Sequence, residues 1–275
     1  MATGLLAMTL ATPLASASSP APSPAADTKW TLTWSDEFNG PDGSSPDPAK
    51  WKFDLGGGGW GNRELESYTA RPENVVERGG NLVLSQRKED YTGADGIARP
   101  YTSGRIETKG LFAQAYGRIE ARMKLPVGKG IWPAFWLLGD ADPQVKWPSM
   151  GEIDIMEAIG DPHTIYSTLH GPGYSGANGI SKKFPLPEGE AIDNGFHVYA
   201  VEWAPNDLKF YFDDHLIAER TPADLPRGAT WVYEHPFFII LNVAVGGAWP
   251  GNPDATTPFP QQMLVDYVRV YRAAK

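Results

Sequence analysis

The feature that most limits how this chain can fold is the regular alternation of short apolar runs with turn residues. Between about Trp30 and Arg272 the runs are rich in β-branched and aromatic residues and show almost no helical periodicity. Thirty glycines and 25 prolines interrupt them at short intervals. Many short strands joined by turns form a sandwich or a barrel, so we predict an all-β fold. No linker or internal repeat divides residues 30–275, which we take as one domain.

Four segments give the clearest strand predictions. In GRIEARMKL, residues 117–125, apolar and charged residues alternate with a period of two, as in a strand with one buried face. Residues 196–221 hold three apolar runs separated by Pro-Asn-Asp and Asp-Asp, which predict two hairpins. FFIILNVAV, residues 237–245, is apolar almost throughout, which is typical of a strand buried on both faces. Residues 263–271, MLVDYVRVY, predict a further strand.

Charge and cysteine content exclude several classes of function. There are 24 basic and 33 acidic residues, a net charge of -9. A field of that sign repels nucleic acid and anionic lipid, so we expect a neutral substrate and neither nucleic-acid nor membrane partners. The chain has no cysteine, which excludes disulfides and thiolate chemistry. We also expect a monomer.

The N-terminal residues 1–29 predict a signal peptide followed by a flexible leader, and hence a secreted protein. Residues 4–15 are a short apolar run, and Ala15-Ser16-Ala17 forms an A-x-A-like cleavage site. Residues 18–27 are rich in proline, alanine and serine. No Lys or Arg precedes the apolar run, which departs from a signal peptide, and a disordered tail is the alternative.

The residues that carry chemistry lie in the segment GEIDIMEAIG, which holds the acids Glu152, Asp154 and Glu157. Isoleucines at alternate positions predict a strand with one side in the core, which places Glu152 and Asp154 on the other side. Glu157 lies five residues after Glu152, so in a regular strand it would point to the opposite face. A β-bulge at Ile155 or Met156 would restore it, and bulges are frequent beside active sites.

Acids placed side by side force their proton affinities apart, so one stays protonated while its neighbour ionises. Retaining glycosidases need that division, because one carboxylate attacks the anomeric carbon and the other protonates the leaving oxygen. The alternative is that the three acids form the solvated polar face of an edge strand. The apolar residues interleaved with them disfavour an exposed edge.

Aromatic residues in loops supply surfaces on which sugar rings could stack. The glycine-rich segment GGGGWGNRELESYT presents Trp60, Asn62 and Glu66. Two further segments, GKGIWPAFWLLG and GGAWPGNPD, carry Trp132 with Trp136, and Trp249. We expect Trp60 and Trp249, flanked by glycine and proline, to be exposed at a cleft. For Trp136 a place in the core is an equal alternative.

Several segments together resemble glycoside hydrolase family 16, and within it the bacterial endo-β-1,3-glucanases, or laminarinases. The motif E-x-D-x-x-E is intact from Glu152 to Glu157. The other matching segments occur in family order over nearly the whole chain after the leader: WSDEFNG, GGGWGNRELESYT, YTSGRI, YGRIEARMKLP, GIWPAFWLLG, TLHGPGYSG, FHVYAVEW, FFIILNVAVGGAWPG and MLVDYVRVY.

The resemblance implies a β-jelly-roll sandwich of two antiparallel sheets with a concave cleft, and a retaining mechanism without a catalytic cofactor. Glu152 would be the nucleophile, Glu157 the general acid/base, and Asp154 would tune the nucleophile. The implied sugar-contacting residues are Arg105, Trp132, Trp136 and His170, with Asn62, Trp60 and Trp249. Family members often hold a structural Ca²⁺ through two backbone carbonyls and one aspartate, and the matching positions are Glu37, Gly80 and Asp266. The form of the motif favours β-1,3-glucan over strictly mixed-linkage substrates.

Two rival functions follow from the same resemblance. In β-glucan-recognition proteins of this fold one or both glutamates are lost, whereas both are present here. Other family members act on other polysaccharides, and the net charge of -9 disfavours a sulfated substrate. The sequence holds no G-x-S-x-G or H-E-x-x-H motif, and its five histidines show no metal-ligand spacing. His170 could equally be an ordinary hydrogen-bonded histidine.

Overall fold

Two β-sheets make up almost all of the regular structure. The computed structural model describes Met1 and residues 29–274, so the predicted cleavage site Ala15-Ser16-Ala17 and nearly all of the predicted leader lie outside the described residues. The only helical segments of the described residues are two short 3-10 turns, Gly176–Asn178 and Pro222–Asp224. In this part of the chain no helix has the length and apolar character needed to cross a membrane.

The strands of the described residues are β1 (Trp30–Asp36), β2 (Lys52–Phe53), β3 (Glu66–Tyr68), β4 (Val75–Arg78), β5 (Asn81–Thr92), β6 (Ala98–Ser103), β7 (Arg105–Glu107), β8 (Gly117–Lys124), β9 (Ile131–Gly139), β10 (Glu152–Glu157), β11 (Thr164–His170), β12 (Ile180–Pro185), β13 (His197–Ala204), β14 (Asp207–Phe212), β15 (His215–Arg220), β16 (Phe237–Val245) and β17 (Gln261–Ala273).

The larger sheet has ten strands in the order β15-β14-β13-β8-β17-β5-β6-β3, with β1 paired to β17 and β4 paired to β5. The smaller sheet has seven strands in the order β12-β11-β10-β9-β16-β7-β2. Neighbouring strands are antiparallel except for β3 and β6, which run parallel. The all-β fold of two largely antiparallel sheets is therefore confirmed.

The core lies between the two sheets. On β8 the alternate residues Ile119, Ala121 and Met123 are buried in it, as the period of two predicts. The smaller sheet contributes apolar side chains from β9, β10, β11 and β16 to the same core. Every residue of β16 is buried, which confirms the prediction of a strand covered on both faces.

The hairpin predictions are also confirmed, because β13, β14 and β15 are joined by two-residue turns at residues 205–206 and 213–214. Asn206 and Asp213 take the positive φ angles of 59° and 47° in these turns, a conformation that Asn and Asp tolerate better than most residues.

Candidate active site

Strand β10 carries the three acids and lies inside the seven-stranded sheet, between β9 and β11. The alternative of an edge strand is therefore wrong. Gly151 leads into the strand with a φ of 77°, and a Cβ there would lie 2.8 Å from Cζ of Phe237. Only glycine combines this backbone angle with so little space, and the turn comes directly before Glu152, the first residue of β10.

A β-bulge brings the third acid to the same face as the first two. Asp154 pairs with Trp136 of β9, but Met156 already pairs with Phe135, so Ile155 is the extra residue. Glu152 and Glu157 pair with Leu138 and Ala134, which places all three acids at every second position along β9. The prediction of a bulge at Ile155 or Met156 is confirmed at Ile155.

Each acid has a different set of contacts. Trp147 Nε1 donates to Oε2 of Glu152 over 2.5 Å, and Trp132 Nε1 donates to Oε1 of Glu157 over 3.0 Å. Asp154 and Glu157 are buried, with 2% and 9% of their surface exposed, while Glu152 is half-buried. The imidazole of His170 lies with Nε2 3.1 Å from Oδ2 of Asp154, too poorly aligned for a hydrogen bond.

Burial raises the pKa of all three carboxyl groups. It raises the pKa of Glu152 to about 8, with the charge of Asp154 as the next cause. Burial raises the pKa of Asp154 to about 7. The pKa of Glu157 is raised well above its usual range by burial and then by the charges of Asp154 and Glu152. At neutral pH the cluster therefore retains protons.

The indoles of β9 lie on the same face as the acids. Trp132 and Trp136 alternate with the core residues Ile131, Phe135 and Leu137, so both point away from the core. Both are half-buried. The core alternative for Trp136 is thus wrong, and Trp136 faces the acid row at the position paired with Asp154.

Arg105 of β7 joins two of the predicted sugar-contacting aromatics. Its guanidinium carbon lies 4.6 Å from the ring centroid of Trp60 and 4.9 Å from that of Trp136, and its Nε donates to Asp54 over 2.7 Å. Trp60 is half-buried under this arginine, whereas Asn62 is exposed. Glu66, which we expected the same segment to present, is instead fully buried in β3, where its carboxyl accepts the backbone N–H of Val245.

His170 and Trp249 lie near opposite ends of the acid row. His170 pairs with Glu152 across β10 and β11, and Gly179 leaves room for its ring, since a Cβ there would lie 2.5 Å from Cε1. Trp249 is 41% exposed and packs edge-on against Trp132, with ring centroids 5.5 Å apart. All seven predicted sugar-contacting residues therefore belong to the seven-stranded sheet or to the loops next to it.

Sequence reasoning missed three residues of this face. Trp147, 48% exposed, contacts Glu152, and it precedes a proline in a loop, the same signal that singled out Trp249. Tyr166 pairs with Glu157 across the sheet and packs edge-on against Trp249 at 4.9 Å. Asn242 lies in an apolar run that predicts only a buried strand, so nothing in the sequence indicates that it belongs to the site.

The positions implied for calcium lie on the other sheet. Glu37 follows β1, Gly80 forms the turn between β4 and β5, and Asp266 belongs to β17, next to β1 in the sheet. Two carbonyls and one carboxylate form an all-oxygen donor set, which fits Ca²⁺. The Asp266 carboxylate accepts from Arg122 over 2.7 Å, a surface pair that an ion would have to displace. The calcium site stays a prediction.

A row of buried carboxyl groups on a sheet face, flanked by indole rings, is the arrangement of a glycoside hydrolase built on a β-sandwich. The model of the family "Glycosyl hydrolases family 16" matches residues 63–269. The chain belongs to this family.

Several of its relatives are named as enzymes that act on β-glucans. The chain is 43% identical over 255 residues to a β-glucanase of Rhodothermus marinus, covering 88% of this chain and 85% of that one. It is 36% identical over 260 residues to glucan endo-1,3-β-glucosidase A1 of Niallia circulans, with 88% of this chain covered but only 38% of the length of that relative. The laminarinase catalytic domain of Thermotoga maritima superposes with a TM-score of 0.84 at 47% identity, covering 90% of this chain and 99% of that one.

Proposed function

We propose that this chain is a retaining endo-β-1,3-glucanase that cuts β-glucans such as laminarin, and that Glu152 and Glu157 carry the reaction. The observation that carries the proposal is the row of three acids on one sheet face, two of them buried and one half-buried, produced by the bulge at Ile155. The names of two similar proteins, the glucan endo-1,3-β-glucosidase A1 of Niallia circulans and the laminarinase of Thermotoga maritima, support the choice of β-1,3-glucan.

In the first step the carboxylate of Glu152 attacks the anomeric carbon while Glu157 donates its proton to the leaving glycosidic oxygen. A bond forms between Glu152 and the sugar, and the bond to the leaving oxygen breaks. Glu152 must be ionised to attack. Trp147 N–H, 2.5 Å from Glu152 Oε2, stabilises the ionised form of Glu152.

In the second step Glu157, now a carboxylate, takes a proton from water as the water oxygen attacks the anomeric carbon and releases Glu152. Trp132 N–H, 3.0 Å from Glu157 Oε1, stabilises the carboxylate that forms between the two steps. The raised pKa of Glu157 favours its protonated form at the start of each cycle.

Exposed indoles on both sides of the acid row support action within a long chain. Trp147 contacts Glu152 at one end, and Trp249 packs on Trp132 beside Glu157 at the other. A sugar chain that stacks on both would run past the acids in either direction, so internal bonds could be cut. Because polymeric glucans are too large to enter a cell, we propose that the enzyme acts outside it.

The test is a comparison of substrates and of the first product formed. Laminarin, lichenan, agarose and carboxymethyl-cellulose are each incubated with the protein, the products are sized, and the first anomer is followed by proton NMR. We expect long oligosaccharides from laminarin, released first as the β anomer. An initial α product would disprove retention, and binding of laminarin without cleavage would favour the glucan-recognition alternative.

A further inference from the structure

A second pair of buried acids, Glu64 and Glu66, takes no part in the reaction described above. Their exposed fractions are 3% and 0%. Within residues 29–274 neither forms an ion pair with Lys or Arg. A buried acid pair without a counter-ion is costly unless one member is protonated and the other is well hydrogen-bonded.

Glu66 is the protonated member of the pair. Its Oε2 accepts the backbone N–H of Val245 over 2.7 Å, while its buried Oε1 has no donor among the described residues. Burial and then the charge of Glu64 raise the pKa of Glu66 well above its usual range. A proton on Oε1 would satisfy that atom by donating to Glu64.

Glu64 is the end point of a chain of donors that starts in the active site. Trp136 Nε1 donates to Asn242 Oδ1 over 2.7 Å, and Asn242 Nδ2 donates to the hydroxyl of Tyr68 over 3.0 Å. That hydroxyl donates to Oε2 of Glu64 over 3.0 Å. We call Trp136, Asn242, Tyr68 and Glu64 the Glu64 relay.

A branch of the same network reaches the glycine-rich loop. Asn62 Nδ2 donates to the other oxygen of Glu64 over 3.0 Å, and the backbone carbonyl of Asn62 accepts the N–H of Ala248, next to Trp249. Glu64 thus connects two predicted sugar-contacting side chains, Trp136 and Asn62, that lie on different elements.

Both oxygens of Glu64 accept hydrogen bonds, and this sets the direction of every hydrogen bond in the relay. A carboxylate can only accept, so the Tyr68 hydroxyl must donate to it and is left to accept from the Asn242 amide. With its NH₂ group donating to Tyr68, Asn242 presents its carbonyl oxygen to Trp136. The Trp136 indole N–H can only donate, so it donates to that oxygen. An amide at position 64 would direct an NH₂ group at either Tyr68 or Asn62 and oppose one of the two bonds.

We infer that Glu64 is a positioning residue, which holds Trp136 and Asn62 in the orientation that binds the sugar chain without touching the reacting atoms. The inference rests on the proposed function, because it assigns Glu64 to the substrate face of the same site. It separates two adjacent buried acids by role: Glu64 accepts the hydrogen bonds that orient the relay, and Glu66 only supports Glu64.

The test compares Glu64→Gln with Glu66→Gln in steady-state kinetics on laminarin. For Glu64→Gln we expect KM to rise roughly 10-fold, the loss expected for a charged hydrogen bond, while kcat stays within about 3-fold and the pH limits of activity do not move. Glu66→Gln is the matched control. Its amide keeps an acceptor for Val245 and a donor for Glu64, so KM should stay within about 2-fold of the wild-type value.

An unchanged KM in Glu64→Gln would overturn the inference, and so would an equal rise in both variants. If Glu64→Gln does not fold, Tyr68→Phe serves instead, because it removes the link between Asn242 and Glu64 and keeps the ring. We expect KM to rise about 3-fold in Tyr68→Phe, and no change would overturn the inference. If the wild-type protein binds laminarin without cutting it, the proposed function fails, and the same variants are compared by the Kd for laminarihexaose measured through tryptophan fluorescence.

Discussion

Strands β8 and β10 both alternate charged residues with core residues, but the acids on or beside β8 pair with arginines and those on β10 do not. On β8, Arg118 donates to Glu120 over 2.7 Å and to Glu202 of the next strand over 2.9 Å, and Arg122 donates to Asp266. On β10, none of the three acids has a Lys or Arg partner within the described part of the chain, and the imidazole of His170 lies 3.1 Å from Asp154.

The difference shows how one residue pattern gives stability in one sheet and chemistry in the other. An acid beside an arginine is ionised and inert, because its negative charge is matched. Acids that are buried together and unmatched share protons and exchange them near neutral pH. The raised pKa values of Glu152, Asp154 and Glu157 have this origin.

The largest expected effect contrasts the two strands directly. Glu152→Gln should lower kcat on laminarin on the order of 10⁴-fold, because the amide cannot form the covalent intermediate. Glu120→Gln, the same change on β8, should leave kcat within about 3-fold. Turnover assays of both purified variants check this, and near-normal turnover in Glu152→Gln would remove it from the role of nucleophile.

The second effect concerns the proton donor. Glu157→Gln should lower kcat on laminarin roughly 10²- to 10⁴-fold, the usual contribution of general acid catalysis, but spare aryl glucosides whose leaving group needs no proton. Azide should restore activity on those substrates by replacing water in the second step. Equal losses on both substrate types, with no azide rescue, would contradict the assignment.

A smaller effect is a shift in the pH profile of Asp154→Asn, with a loss of kcat of roughly 10- to 100-fold. The charge of Asp154 is one cause of the raised pKa of Glu157. Removing that charge lowers the pKa, so Glu157 loses its proton earlier as the pH rises. The alkaline limit of kcat/KM should move to lower pH, and a move to higher pH would contradict the proposed effect of the Asp154 charge on Glu157.

The smallest effect is on stability. The folded-state pKa of Glu152 is raised to about 8, so the folded chain binds this proton more tightly than the unfolded chain. The favourable contribution of this bound proton to the free energy of unfolding is complete below the unfolded-state pKa of Glu152. It is lost as the pH rises toward 8. Glutamine does not titrate, so Glu152→Gln avoids the loss of folding stability that Glu152 causes above its unfolded-state pKa. The variant should therefore raise the Tm at pH 7 by roughly 5 °C. At pH 4 the Tm values should agree, and a lower Tm of the variant at both pH values would contradict the charge-cluster argument.

Much of this site could be predicted from the sequence, because local patterns report local geometry. The alternation in GEIDIME placed Glu152 and Asp154 on one face, and the parity of Glu157 required a bulge, which the pairing with β9 confirms at Ile155. Trp147 carried the same loop signal as Trp249 and could have been found. The burial of Glu66 could not, since its partner Val245 is 179 residues away in the chain.

What the sequence determined by itself is the type of strand and the identity of the acids, since both depend on the order of neighbouring residues. Arg118 matches Glu120 within its own strand, but only the tertiary structure decided the contacts between strands: Glu202 with Arg118, Asp266 with Arg122, and Asn242 with Trp136. Charge matching acts through space at a few ångströms, and the sheet order that sets those distances is a property of the whole fold.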